Sequence, residues 1–79
     1  MSDYQLNISD KYKNLTAIVV RDTGNNTKVF HKYRNIRNTS HGLRSFLRFT
    51  DSRDSTNGCV IHINFYDKET KNFVCQWKK

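Results

Sequence analysis

Apolar residues recur at two spacings along this chain. They fall on every second position over 59–66 and 73–77, and at three- and four-residue intervals over 43–50. The first spacing is that of a half-buried strand and the second that of an amphipathic helix. Residues 59–66, Cys-Val-Ile-His-Ile-Asn-Phe-Tyr, place Cys59, Ile61, Ile63 and Phe65 on one face, and Val60, His62, Asn64 and Tyr66 on the other. Asp67-Lys68-Glu69-Thr70 reads as a turn, after which Phe73, Cys75 and Trp77 alternate again. The pairing that suits this turn sets Phe65 opposite Phe73 and Ile63 opposite Cys75.

A second hairpin precedes it. Residues 15–22, Leu-Thr-Ala-Ile-Val-Val-Arg-Asp, and 27–34, Thr-Lys-Val-Phe-His-Lys-Tyr-Arg, are β-rich and flank Thr23-Gly24-Asn25-Asn26. A two- or four-residue loop pairs Val20 with Val29, Ile18 with His31 and Thr16 with Tyr33. The other face then carries Leu15, Ala17, Val19, Phe30, Lys32 and Arg34. Because Lys28, Lys32 and Arg34 occupy that second face, the first is expected to turn toward the core. A three-residue loop would shift the register and mix these sets.

Between the hairpins, Asn38-Thr39-Ser40 offers side chains that can cap a helix. Leu43, Phe46, Leu47 and Thr50 follow along one stripe, with Phe49 flanking it. The polar run Asp51–Gly58 ends in Asn-Gly and stops the helix, which is expected over about 40–52. Residues 1–13 alternate weakly through Tyr4, Leu6, Ile8 and Tyr12 and suggest an extra N-terminal strand. The expected fold class is therefore α+β: an antiparallel sheet of two hairpins, ββαββ, with one helix packed on one face. Leu43, Phe46 and Leu47 should meet Ile61, Ile63, Phe65, Phe73 and Trp77, with Ile18, Val20 and Val29 completing the core. The order of the strands stays open, because either hairpin can join by either edge.

Composition narrows the class. With 79 residues the chain makes a single domain, 1–79, too small to enclose a large active site. No apolar run approaches the length of a membrane span, and no apolar signal region opens the chain, so a cytoplasmic protein without membrane contact is expected. Cys59 and Cys75 are then expected as reduced thiols. In the expected register they lie roughly 13 Å apart along the hairpin, too far for a bridge. Cys59 and His62 point to opposite faces of one strand and do not converge on zinc.

Charge changes the picture most. The chain has 14 Lys+Arg against 7 Asp+Glu, a net charge of +7. Between Asp22 and Asp51 there is no acidic residue, while Lys28, Lys32, Arg34, Arg37, Arg44 and Arg48 all lie there. Such a surface attracts phosphate by charge and counterion release. The expected function is therefore nucleic-acid binding, DNA or RNA, through the Lys/Arg surface of residues 28–48. Phe30, Tyr33 and Tyr66 are the candidate stacking residues beside it. No RNA-recognition strand pattern, GxxG loop or zinc-finger spacing is present. His31, His41 and His62 stand at no spacing that suggests acid–base chemistry, and no nucleophile elbow, P-loop or HExxH occurs. No enzyme, metal or cofactor is expected.

The small size, nine asparagines and absence of proline look like those of compact accessory proteins of phages or mobile elements. This supports an alternative of another class: a protein that binds and inhibits or redirects a host protein complex through a sheet edge or its basic face, the latter meeting an acidic host surface. Such a protein would work in a bacterial or phage-infected cell. An unblocked edge would also let two copies pair as a homodimer.

Overall fold

A computed structural model describes residues 6, 8–24, 27–52 and 58–78. It contains β1 (Asn14–Gly24), β2 (Thr27–Arg37), α1 (Ser40–Ser52), β3 (Cys59–Asp67) and β4 (Phe73–Lys78). The four strands form one antiparallel sheet in the order β2-β1-β3-β4, with the helix against one face. β2 and β3 both run antiparallel to β1 and hence parallel to each other. Parallel strands cannot be joined by a tight turn, which is why a helical crossover links them. The apolar run at residues 17–20 has side chains for both faces of an interior strand, and β1 occupies that place.

Leu15, Ala17 and Val19 of β1 face the helix and form the core with Val60, Ile63 and Phe65 of β3, Ile36, Leu43 and Leu47. The helix stripe is the expected one: Leu43, Leu47 and Thr50 are buried, and Phe46 is half-buried. Thr39 caps the helix, its Oγ1 accepting from the Gly42 N–H at 2.9 Å. Phe46 packs edge-on against Tyr33 (5.5 Å between ring centroids) and Phe65 (6.0 Å), the residues that flank Ala17 across its two ladders. The small Ala17 side chain leaves space for these rings.

The sheet faces differ from the expected ones, because irregularities of one residue move side chains across the sheet. In the first hairpin Val20 lies opposite Phe30 and Ile18 opposite Lys32, with a shift between Asp22 and Gly24 at the turn. Gly24 takes φ 101° there, a conformation other residues rarely adopt. The odd positions of β1 therefore enter the core. Ile18 and Val20, expected there, lie on the face away from the helix, and Val29 sits half-buried at the rim. In β3 a shift opposite Val20 and Arg21 makes Ile61 the extra residue. Val60 turns into the core instead of Ile61, which is 36% exposed.

The second hairpin is offset from the expected pairing as well. Phe65 lies opposite Cys75 and Ile63 opposite Trp77, and the shift between Phe65 and Tyr66 leaves Phe73 beside Tyr66, 57% exposed and outside the core. Its turn is longer than the sequence suggests. The Asp67 N–H donates to Asn72 O (2.9 Å), and Lys71, at φ 66°, donates its N–H to Asp67 O (2.7 Å). Both cysteines are free thiols. Burial pushes the Cys75 thiol up, as suits a packing residue and not a nucleophile.

Two polar groups hold the ends together. Arg21 is fully buried on the helix side of β1. Its guanidinium donates to Thr50 O at the end of the helix (2.8 Å) and to Gly58 O (2.9 Å). Gly58 has φ 93° and approaches β1 so closely that a Cβ would stand 2.6 Å from Asp22 O. Asn38 donates its side-chain amide to Ser9 O (2.8 Å) and Tyr12 O (2.6 Å). This clamps the N-terminal segment, whose Leu6, Ile8 and Tyr12 pack against the core. Among the described residues of that segment there is a turn and no strand; residues 1–5 and 7, the rest of the expected extra strand, lie outside the described residues.

Candidate nucleic-acid interface

Among the described residues no helix or strand covers the sheet face away from α1, and the side chains of this uncovered face lie in rows across the strands. One row runs Phe30, Val20, His62, Lys78; the next runs Lys32, Ile18, Asn64, Gln76. A third contains Thr16, Tyr66 and Phe73, with Arg34 beside Thr16. Successive rows stand about 7 Å apart, two residues along a strand. The middle of this face is apolar: Val20 is buried here and Ile18 half-buried. Its margins are cationic and aromatic. Phe30 is 65% exposed, and Tyr66 meets Phe73 edge-on at 5.7 Å. Toward β4, Asn64 accepts a hydrogen bond from the Gln76 side-chain amide (2.8 Å), which ties β3 to β4 beside the apolar middle.

A cleft of about 360 Å³ opens on this face near the β3–β4 turn. Lys32 and Arg34 reach it from β2, and Lys68 and Lys71 from the turn, above Ile18 and Tyr66. Asp67 also borders the cleft, but its carboxylate serves the turn. It accepts from the Glu69 N–H (3.3 Å) and the Thr70 hydroxyl (2.9 Å).

The six basic residues singled out in the sequence do not form one surface. Lys28, Lys32 and Arg34 share the uncovered face, as their even positions require. Lys28 stands opposite Asp22, so its charge is partly offset. Arg37 ends β2 beside Gly42 of the helix. Arg44 and Arg48 are exposed on the helix, on the far side of the sheet. Arg48 borders a shallow depression there with Phe49 and Asp51. The stacking candidates divide in the same way. Phe30 and Tyr66 lie on the uncovered face, while Tyr33 is half-buried under the helix, packed against Phe46 and Phe49 (5.8 Å).

Lys68, Lys71 and Lys78 join the uncovered face without having been singled out in the sequence, and Phe73 joins it instead of the core expected for it. The two turn lysines alternate with Asp67 and Glu69, so the segment reads as neutral; only the folded turn separates the charges. The histidines are dispersed, with His31 opposite Val19 on the helix side, His62 on the uncovered face and His41 in the first helical turn. Among the described residues no group of three His, Cys, Asp or Glu is placed to hold a metal, and no helix is long and apolar enough to cross a membrane. No protein-family model matches the chain, and neither a curated protein nor a solved structure is detectably similar to it.

Proposed function

We propose that the protein binds single-stranded nucleic acid on the uncovered face of its sheet. The observation that carries this reading is the placement of exposed Phe30, Phe73 and half-buried Tyr66 among Lys32, Arg34, Lys68 and Lys71. Cationic side chains track a phosphate backbone, and exposed rings stack the bases of a strand whatever their sequence. A broad sheet face suits splayed bases better than the groove of a duplex, which admits a helix or a narrow ribbon. Arg44 and Arg48, behind the sheet, have no part in this contact.

Fluorescence anisotropy of labelled single strands and duplexes over a salt series tests the reading. Single strands should bind tighter than duplexes. Their log affinity should fall linearly with log salt, by about 0.7 per phosphate neutralised. Lys32→Ala with Arg34→Ala should weaken binding and flatten this slope, whereas Arg44→Ala with Arg48→Ala should not. Absence of binding at low salt, or indifference to the Lys32 and Arg34 substitutions, overturns the reading in favour of a protein partner.

A further inference from the structure

The uncovered face is walled at one end. The Lys68 N–H donates to Asn14 O at the start of β1 (3.1 Å), and the Lys68 ammonium reaches on to the Asn35 side-chain oxygen on β2. One residue thus spans the end of β1, from the β3–β4 turn to the outer strand. Asn35 is held for this contact by its backbone. Its φ is 64°, in the left-handed region that asparagine enters more readily than most residues, at the register shift opposite Leu15 and Ala17. The cleft of about 360 Å³ lies against this bridge, at the lower end of the size range of small-ligand sites.

We propose that the cleft receives the terminal phosphomonoester of a nucleic-acid strand, with the last base stacked on Tyr66. The proposal rests on the reading of this face as a single-strand platform and adds which part of the strand enters the cleft. An internal phosphodiester carries one charge and continues in both directions, whereas this cleft is bounded by Lys68, which the Asn35 contact ties to β2. A terminal phosphate carries close to two charges at neutral pH and offers three oxygens to donors. Lys32, Arg34, Lys68 and Lys71 supply the matching positive charge, and Asp67, the carboxylate that borders the cleft among the described residues, is occupied by its own turn. Three oxygens on one phosphorus suit cations that approach from both β2 and the turn.

The test uses the full chain and three internally labelled single strands of one sequence, roughly 12 nucleotides long, a span typical of small binding platforms. They differ only at their ends: a 5′-phosphate, a 3′-phosphate, or hydroxyls at both. One phosphorylated strand should bind about tenfold tighter than the hydroxyl-ended strand, the effect of an added charge-assisted contact. The strand that gains identifies the end that enters. Asn35→Gly keeps both the left-handed backbone and every charge while removing the bridge. It should lower the preference for the phosphorylated end without weakening the hydroxyl-ended strand. Thermal unfolding of the variant verifies that the sheet is intact. Equal affinity for all three strands overturns the proposal and leaves the single-strand reading standing. Binding of thymidine 5′-monophosphate without binding of any strand supports the cleft and overturns the platform. If neither binds, both fall.

Discussion

The two faces of this sheet start from the same strand and end in opposite states. Leu15, Ala17 and Val19 of β1 point one way and are sealed under the helix by Leu43, Leu47 and Phe65. Ile18 and Val20 point the other way and form an apolar floor that no helix covers among the described residues. The first face carries the buried Arg21, whose two terminal guanidinium nitrogens donate to backbone carbonyls. The second carries Lys32, Arg34, Lys68 and Lys71, whose charges surround a cleft. The difference teaches that the location of charge, more than its amount, separates a stabilising residue from a binding one. A fully buried arginine must satisfy itself within the fold, while an exposed one remains available to a ligand.

Substitutions at paired positions on the two faces put this contrast at risk. The largest effect is expected for Phe65→Ala, which empties the covered face and should cost about 3–5 kcal/mol in urea unfolding. Its counterpart Phe30→Ala should change stability by no more than about 0.5 kcal/mol and should weaken single-strand binding instead. Similar losses of stability for the two would remove the distinction between core and platform. Next comes Arg21→Met, which strips the donors from Thr50 O and Gly58 O and should cost about 3 kcal/mol, at the level of hydrogen bonds made by a charged group. It should leave the salt dependence of strand binding unchanged, whereas Arg34→Met should do the reverse.

Val20→Ala sharpens the boundary between the faces. This side chain is 2% exposed although no helix covers it. Loss of its two methyl groups should cost about 1.5 kcal/mol, at roughly 0.8 for each buried carbon. A smaller loss would mean that the floor of the platform contributes little to folding. Thr39→Ala, behind the sheet, should cost about 1 kcal/mol through the lost helix cap, with strand affinity untouched. The smallest effect is a pH dependence. Burial raises the Cys75 thiol above its ordinary value of 9.0. The unfolded chain therefore ionises first, and the stability that this thiol contributes is fully present below that value and is lost as pH rises from there through the raised value of the folded state. Cys75→Ala should flatten the alkaline limb of a stability–pH curve.

Element by element, much of this fold is legible in the residues. The helix over 40–52, its Leu43–Leu47–Thr50 stripe and the two hairpins follow from spacing and turn chemistry. The interior place of β1 had a sign as well, since residues 17–20 are apolar at both odd and even positions. What the pattern hides is register. The irregularities near Gly24, Ile61 and Phe73 each shift the alternation by one residue, and each arises from contacts with a neighbouring strand or turn. Lys28, Lys32 and Arg34 were legible as one face because they share parity on a strand. Lys68 and Lys71 were not, because their arrival at the cleft depends on a turn closed by Asp67 and Asn72 and on the left-handed backbone of Lys71.

The central position of β1 also sets an order of events in folding. β1 meets β2 through a turn of a few residues, and β3 meets β4 through another, so both hairpins close cheaply. The ladder between β1 and β3 joins Asp22 to Cys59 and Leu15 to Asp67, across the whole of β2 and the helix. That long closure is the slow step expected from contact order, and until it is made neither hairpin has a complete core. Arg21 ties the far end of this closure, since it is on β1 and its acceptors lie at the end of the helix and the start of β3. The same guanidinium that consumes its charge in the native fold therefore acts as a latch, holding the late-formed half of the sheet to the early one.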